Sequence, residues 1–487
     1  MPETPQNIND EDPKPASQVT FEPIIRPPLR SIDKYSVPKL RYLSQRYTVA
    51  VMISLGLFVL FGIRSNLETF YSSRHEAILS SRWKTAFYLD DAYIYCLLLT
   101  QIPGGILAYK YPANKIFGYG ILCLAILNFI MSFGFYSTVW NCIDIIQMFI
   151  RGLIFPAALG VLRFWMPPLE RGRLATIAIS GAFIGMMLGN PITEYLMESI
   201  NWRAAFIFFA ILGTVWYGLW YWLIFEKPRD HPAISEQELM FIEQSLGDSM
   251  KLTMPAIPWV KILTSIPVYA VLVATICQMW TYFLIQFWEY EFLEDKFYYR
   301  INQVGLIGAM PNLIMTIIVP LSGLLTDFLR QRKITTTTNI RKIVTCVSFG
   351  LQGIFFWRIR QSRIASEIVL LILMSIAFSG FGVSGYVINI MDIAPRFSTI
   401  VIGIMNTVVL ITGIICLYLN GGIIHYLESS WDTVFAIPAC MFIVGAVIYG
   451  IFSSGELQSW AEPTKEDIKD TNNIPEGDSL INDASRV

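Results

Sequence analysis

Ser235-Glu236-Gln237-Glu238 lies inside a polar stretch, residues 226–263, that also carries Lys227, Arg229, Asp230 and His231. This is the longest internal break in a chain otherwise filled with apolar runs, and it divides them six and six. Ser followed three residues later by Glu is a capping-box pattern. It predicts a short interfacial helix over about 236–246. The flanking apolar runs fall at about 47–66, 88–109, 115–137, 142–165, 174–196 and 202–225, then 264–287, 302–326, 343–357, 366–389, 398–420 and 432–454. Each is long enough to form a helix, the form that closes backbone hydrogen bonds within one segment in lipid. The run at 343–357 is the weakest, interrupted by Gly350 and Gly353 and ending in basic residues. The expectation is an all-α membrane protein of twelve transmembrane helices in two pseudo-symmetric six-helix bundles. The bundles cover 46–225 and 264–454, joined by the 226–263 linker, with disordered tails at 1–45 and 455–487.

Composition agrees. The 487 residues are 54% hydrophobic and 15% charged, with mean hydropathy +0.50; soluble chains average about 25% charged. Net charge is -1 and the basic residues form no long block, so nucleic acid is not an expected partner. The first 30 residues lack a basic start followed by an apolar run, so no cleaved signal peptide is expected. The seven cysteines are scattered through apolar segments and read as small hydrophobes rather than disulfides or metal ligands. Lys39, Arg41, Arg46, Lys110, Lys115, Arg163, Arg171, Arg173, Arg330, Arg332, Lys333, Arg341 and Lys342 fall on one side if both termini are cytoplasmic. Arg74, Arg82, Lys84, Arg358, Arg360 and Arg363 vote the other way.

Arg64 lies deep in the first apolar run, with Asp90, Asp91, Asp144 and Arg151 in later ones. Ionisable groups at hydrocarbon depth usually face a bundle interior or a water path. Two readings stand: solute transport, or buried pairs that only hold helices together. Arg64 either snorkels to the interface or offers a fixed positive fork to an anionic solute. Asp90 and Asp91 either gain from a helix start or bind protons for coupling. Asp144 and Arg151 are seven residues apart, hence on roughly one helix face, with Cα atoms about 10 Å apart. They either meet through a bridging water or pair with groups on other helices. Gln278 and Tyr282 in the seventh run and Asn389 in the tenth are candidate solute contacts. Gly380, Gly382, Ser384 and Gly385 read as close helix packing. Asp392 and Arg396 read as organisers of the next connection. No G-x-x-x-x-G-K-[ST] loop is present, so no enzyme or nucleotide cofactor is expected, and a proton gradient or the membrane potential is the expected energy source. Sodium or chloride involvement stays open.

Gly323-Leu324-Leu325-Thr326-Asp327-Phe328-Leu329-Arg330 resembles the loop motif of the major facilitator superfamily. Thr100-Gln101-Ile102-Pro103-Gly104-Gly105, Trp165-Met166-Pro167-Pro168-Leu169-Glu170-Arg171-Gly172-Arg173 and Asp392-Ile393-Ala394-Pro395-Arg396 are similar to its anion transporter family. That family comprises vesicular glutamate transporters, sialin and sodium-phosphate transporters. The likeness covers about residues 35–465 and is greatest to the vesicular glutamate transporters. The resemblance implies alternating access and a gate at Gly323, Asp327 and Arg330. It implies substrate contact at Arg64, whose partner arginine falls at Gln278, and a family histidine at Asp90. The family's arginine-then-glutamate pair becomes Asp144 then Arg151, in reversed order. Loss of positive character favours a monoanion, a zwitterion or an inorganic anion over a dicarboxylate. The implied functions are an organic anion carrier of vesicles, a phosphate or sialic-acid-like carrier, or a transport-degenerate scaffold. Glu476, Leu480 and Ile481 resemble an acidic dileucine sorting signal, which implies clathrin adaptors as partners and an endosomal, lysosomal or synaptic vesicle address. The lipid bilayer and a small anionic solute complete the expected partners.

Overall fold

The computed structural model describes residues 30, 33, 37–39, 43–75, 82–134, 137–247, 256–297, 301–426 and 431–462, with backbone alone over 71–75, 82–94, 137–138, 289–291, 293–297, 301–308 and 425–426. The helices are α1 (Gln45–His75), α2 (Arg82–Lys110), α3 (Ala113–Met131), α4 (Ser137–Leu162), α5 (Arg171–Ser199), α6 (Trp202–Leu223), α7 (Glu236–Leu246), α8 (Trp259–Leu263), α9 (Ile266–Phe297), α10 (Ile301–Gln331), α11 (Thr337–Gln361), α12 (Ala365–Gly382), α13 (Ile388–Ile393), α14 (Ser398–Tyr426) and α15 (Trp431–Phe452). A π-helical turn, Val383–Val387, joins α12 to α13 into one rod.

Among the described residues, ten helical segments are long and apolar enough to cross a bilayer. The twelve expected include α2 and α11, which are not among the ten. For α2, the side chains of the first half lie outside the described residues. For α11, Arg341 and Lys342 at one end and Arg358 and Arg360 at the other dilute a short apolar middle.

Packing within the first set of helices is set by small residues. On α5, Gly181, Gly185 and Gly189 recur every four residues and so share one face. A Cβ at Gly181 would strike the Ser54 carbonyl of α1, and at Gly185 it would lie 2.8 Å from the Phe58 carbonyl. Backbones therefore approach closely, the packing mode favoured where lipid offers no hydrophobic drive between helices. The small residues before α13 work the same way: a Cβ at Gly380 would strike Ile318, and at Gly385 it would strike Thr345.

Helix α7 forms over Glu236–Leu246, and Ser235 Oγ accepts from the Glu238 N–H at 3.2 Å. The expected reciprocal half of the box is replaced. The Glu238 carboxylate instead accepts from the Gln45 and Arg46 N–H groups, both at 3.2 Å. It thereby caps α1, satisfying first-turn donors and the positive end of that helix dipole. This fixes the start of α1 at the end of the molecule where the linker lies, the linker face.

Disorder expected for 1–45 does not extend to Arg30 and Asp33. Arg30 donates to the Tyr221 and Trp222 carbonyls at 2.6 and 2.8 Å and pairs with Asp33 at 2.8 Å. These are orphan carbonyls at the end of α6, where a cation is favoured. Likewise residues 455–462, expected within the C-terminal tail, pack: Gly455 N–H donates to Thr338 Oγ1 at 3.0 Å and Gln458 N–H to the Ile393 carbonyl at 3.0 Å. The cysteines are free thiols; Cys277 and Cys416 are buried as expected, but Cys123, Cys142 and Cys440 are exposed.

His231 is buried beneath the Phe225 and Trp165 rings, and its Nδ1 accepts from the Ala233 N–H at 3.1 Å. Burial pushes its pKa down from 6.5 to about 4. Folded chain therefore stays neutral at pH 5, whereas unfolded chain takes up a proton there. Stability from this group is present above about pH 6.5 and is lost as pH falls toward 4, up to about 3 kcal/mol. Thermal midpoints of the detergent-purified protein should fall across that window. His231→Asn, whose side-chain oxygen can still accept from residue 233 as an Asx turn, should flatten the dependence. Equal slopes for both proteins would exclude His231 as the cause.

Candidate functional site

Two layers of polar residues arise from this packing. The first lies at the linker face, where the two sets of helices meet. Asp392, at the end of α13, is 5% exposed and receives three guanidinium groups. Arg171 of α5 approaches Oδ1 at 2.8 Å, Arg330 of α10 approaches Oδ1 at 3.3 Å, and Arg341 of α11 approaches Oδ2 at 2.7 Å. Arg171 also donates to the Met391 carbonyl at 2.8 Å, and Arg330 to the Pro168 carbonyl at 2.7 Å. Arg341 donates to the Ser384 carbonyl inside the π turn. π turns often mark functional positions, because the extra residue shifts the register of the next helical turn.

Asp327 of α10 completes this layer. Its two oxygens accept from the Gly172 and Arg173 N–H groups at 2.9 and 2.8 Å. A carboxylate from one half thus caps the first turn of α5 in the other. The contact is possible because Gly172 and Gly323 lack side chains: a Cβ on Gly323 would strike Thr176, and one on Gly172 would strike Asp327. A second seam joins α2 to α14. Gln101 Oε1 accepts from Asn406 Nδ2 at 3.0 Å, Tyr109 stacks on Phe397 at 5.5 Å, and a Cβ at Gly403 would lie 2.7 Å from the Gln101 carbonyl.

The second layer lies deeper. Arg64 is nineteen residues into α1, about 28 Å along its axis. Ser54, Phe58 and Ser65 face α5, while Gly62 and Val59 face α6. At 100° per residue Arg64 points about 160° from Gly62 and about a quarter turn from the α5 face. Its side chain is 29% exposed and pairs with Glu68, 50% exposed, at 2.6 Å. The arginines of the first layer differ, at 8%, 19% and 2% for Arg171, Arg330 and Arg341. Arg64 is the more accessible cation.

On α4, Asp144 and Arg151 are both buried. Between them, Gln147 accepts from Arg151 at 2.9 Å, and its amide lies 3.1 Å from Met131 Sδ. Gln147 is a third partner beside the two expected alternatives, a bridging water or a group on another helix. The spacing Asp144, Gln147, Arg151, in steps of three and four, is the signal that could have found it.

Across the molecule, Gln278 of α9 and Gln352 of α11 exchange hydrogen bonds at 3.3 and 3.2 Å, and Gln352 also donates to Ser348 at 3.0 Å. Both are buried. Tyr282, 36% exposed, brings its hydroxyl to 3.9 Å from Met186 Sδ of α5, bridging the halves at mid-depth. Asn389 is fully buried and donates to the Ser454 carbonyl at 2.9 Å, two residues beyond α15. The side chains of Asp90 and Asp91, and the whole of Glu476, Leu480 and Ile481, lie outside the described residues. Among the described residues no cluster of three metal-ligating side chains occurs.

Apolar helices arranged around a seam of buried charge define a polytopic membrane protein. Residues 47–340 match the model of the Major Facilitator Superfamily. Vesicular glutamate transporter 1 of Xenopus tropicalis is 36% identical over 442 residues, covering 86% of this chain and 77% of that protein. Vesicular glutamate transporter 1 of Bos taurus is 35% identical over 443 residues, with 86% and 79% covered. The crystal structure of the human organic anion transporter MFSD10 shares the fold, with TM-score 0.60 at 11% identity over 84% of this chain and 100% of that one. The chain belongs to the major facilitator superfamily and, within it, to the anion/cation symporter family related to the vesicular glutamate transporters.

Proposed function

We propose that this chain is a secondary transporter of small organic anions, moving a monoanionic or zwitterionic carboxylate between a vesicle lumen and the cytoplasm. The linker face and both termini are cytoplasmic in this reading, and α2 and α11 complete twelve spans in two six-helix bundles. The observation that carries the proposal is Arg64, a guanidinium about two-thirds of the way along α1 that stays partly exposed. An Arg fork matches carboxylate geometry and resists deprotonation. Gln278, in a neutral amide pair with Gln352, supplies no second cation, so a dicarboxylate such as glutamate binds less well. One charge-assisted hydrogen bond fewer, about 1.5–3 kcal/mol, corresponds to about 10–100-fold in affinity. Tyr282 closes over the solute from the other half.

Alternating access works by breaking one seam and making another. With Asp327 capping α5 and Asp392 holding Arg171, the cytoplasmic side is shut. Opening it requires both contacts to part. Asp90, Asp144 and Arg151 are proposed to couple protons or voltage to that change, and Glu476, Leu480 and Ile481 to bring clathrin adaptors to the tail.

Uptake into proteoliposomes with imposed voltage and pH gradients tests the reading, with glutamate, aspartate, sialic acid, urate and phosphate as solutes. Voltage-driven uptake of a monocarboxylate added to this panel, such as lactate, with the dicarboxylate glutamate about tenfold poorer or worse, is the expected result. Phosphate or sialic acid alone would select the runner-up substrate class. Inactivity toward every solute under either gradient would favour a membrane scaffold, a reading to which the internal bonding of Gln278 and Asn389 lends support.

A further inference from the structure

An open depression of about 530 Å³ lies at the linker face. Lys261 of α8, Thr264 and Ser265 before α9, and Gln458, Ser459 and Trp460 after α15 supply its polar lining, and no carboxylate lines it among the described residues. Ser265 occupies the N-cap position of α9, a helix of 32 residues. A serine there ordinarily accepts from a first-turn N–H. Ser265 is only 8% exposed, yet its hydroxyl has no hydrogen-bond partner. The Trp460 indole N–H is also buried without an acceptor. Pro267 has no N–H, and the first-turn N–H groups of Ile266 and Val268 have no acceptor within the helix. The site thus gathers a lysine, an indole, a hydroxyl and the positive end of a long helix, and every one of these groups can donate.

We propose that this depression binds a phosphate monoester or inorganic phosphate at the cytoplasmic surface. Helix N-termini with a lysine favour this chemistry, and the volume exceeds what a bare halide would fill. Val260, Leu263 and Ile266 beside it are 76%, 49% and 59% exposed. Their apolar surface suits acyl chains, so a lipid headgroup is one source and free phosphate the other. Bound phosphate ties α8 and the post-α15 segment to the start of α9, the helix that carries Gln278 and Tyr282. Phosphate binding here does not depend on which solute the protein carries.

The full-length protein, purified in detergent, is titrated with dioctanoyl phosphatidylinositol 4-phosphate, dioctanoyl phosphatidylcholine and inorganic phosphate while its thermal midpoint is followed. The phosphoinositide should raise the midpoint by several degrees at micromolar concentration, with phosphatidylcholine inert. A full shift from inorganic phosphate at the same concentration would identify free phosphate as the ligand. Lys261→Gln and Trp460→Phe, each with an unchanged ligand-free midpoint, should weaken the response about tenfold. The proposal fails if no probe shifts the midpoint, if phosphatidylcholine shifts it equally, or if the shift survives in the Lys261→Gln/Trp460→Phe double variant.

Discussion

Asp392→Asn should destabilise the folded protein by about 3–5 kcal/mol, because it leaves buried guanidinium groups without their counter-charge. Arg341 is 2% exposed and Arg171 8%, so neither can recover hydration without moving. The thermal midpoint should drop by about 3–5 °C. Arg341→Met in the Asp392→Asn background should recover part of that loss, since it removes one stranded cation. Double-mutant comparison separates this from simple additivity. An Asp392→Asn protein as stable as wild type would mean that the three arginines find other partners and that the seam is not held by this carboxylate.

Arg64→Gln should reduce anion uptake by about 100-fold or more while leaving the thermal midpoint nearly unchanged. Its described partner, Glu68, is half-exposed, and pairs of that kind contribute less than about 1 kcal/mol. The Glu68 pair therefore contributes little to stability, whereas the proposed solute contact depends on Arg64. Arg64→Lys keeps the charge but not the planar fork, and should retain an intermediate rate, about tenfold below wild type. Full uptake by Arg64→Gln would assign the residue to the bilayer interface.

Legibility in the sequence depends on range. Helix α7 is legible because Ser235 and Glu238 are local neighbours with a specific pattern, and the apolar runs are legible because lipid imposes length. The motif at Gly323, Asp327 and Arg330, proposed as a gate, is legible by resemblance. Asp392 reads only as an organiser of a loop, because its cations come from three helices, 51 to 221 residues away. No local pattern reports such a convergence. Glu238 shows the converse: its spacing from Ser235 suggests a closed box, but the competing donors at Gln45 and Arg46 take the carboxylate. Gln278 stands out in the sequence, while its partner Gln352 is invisible without the fold. Asn389 stands out from its place in an apolar run, while the Ser454 carbonyl its amide meets is 65 residues away and invisible without the fold.

Transport as proposed requires Arg64 to face a water-filled cleft between the halves. Arg64→Cys, in a background with Cys123, Cys142 and Cys440 replaced, can be treated with a charged, membrane-impermeant thiol reagent. Rapid labelling from the luminal side is the predicted result. Reaction only with a lipid-soluble maleimide would contradict the account.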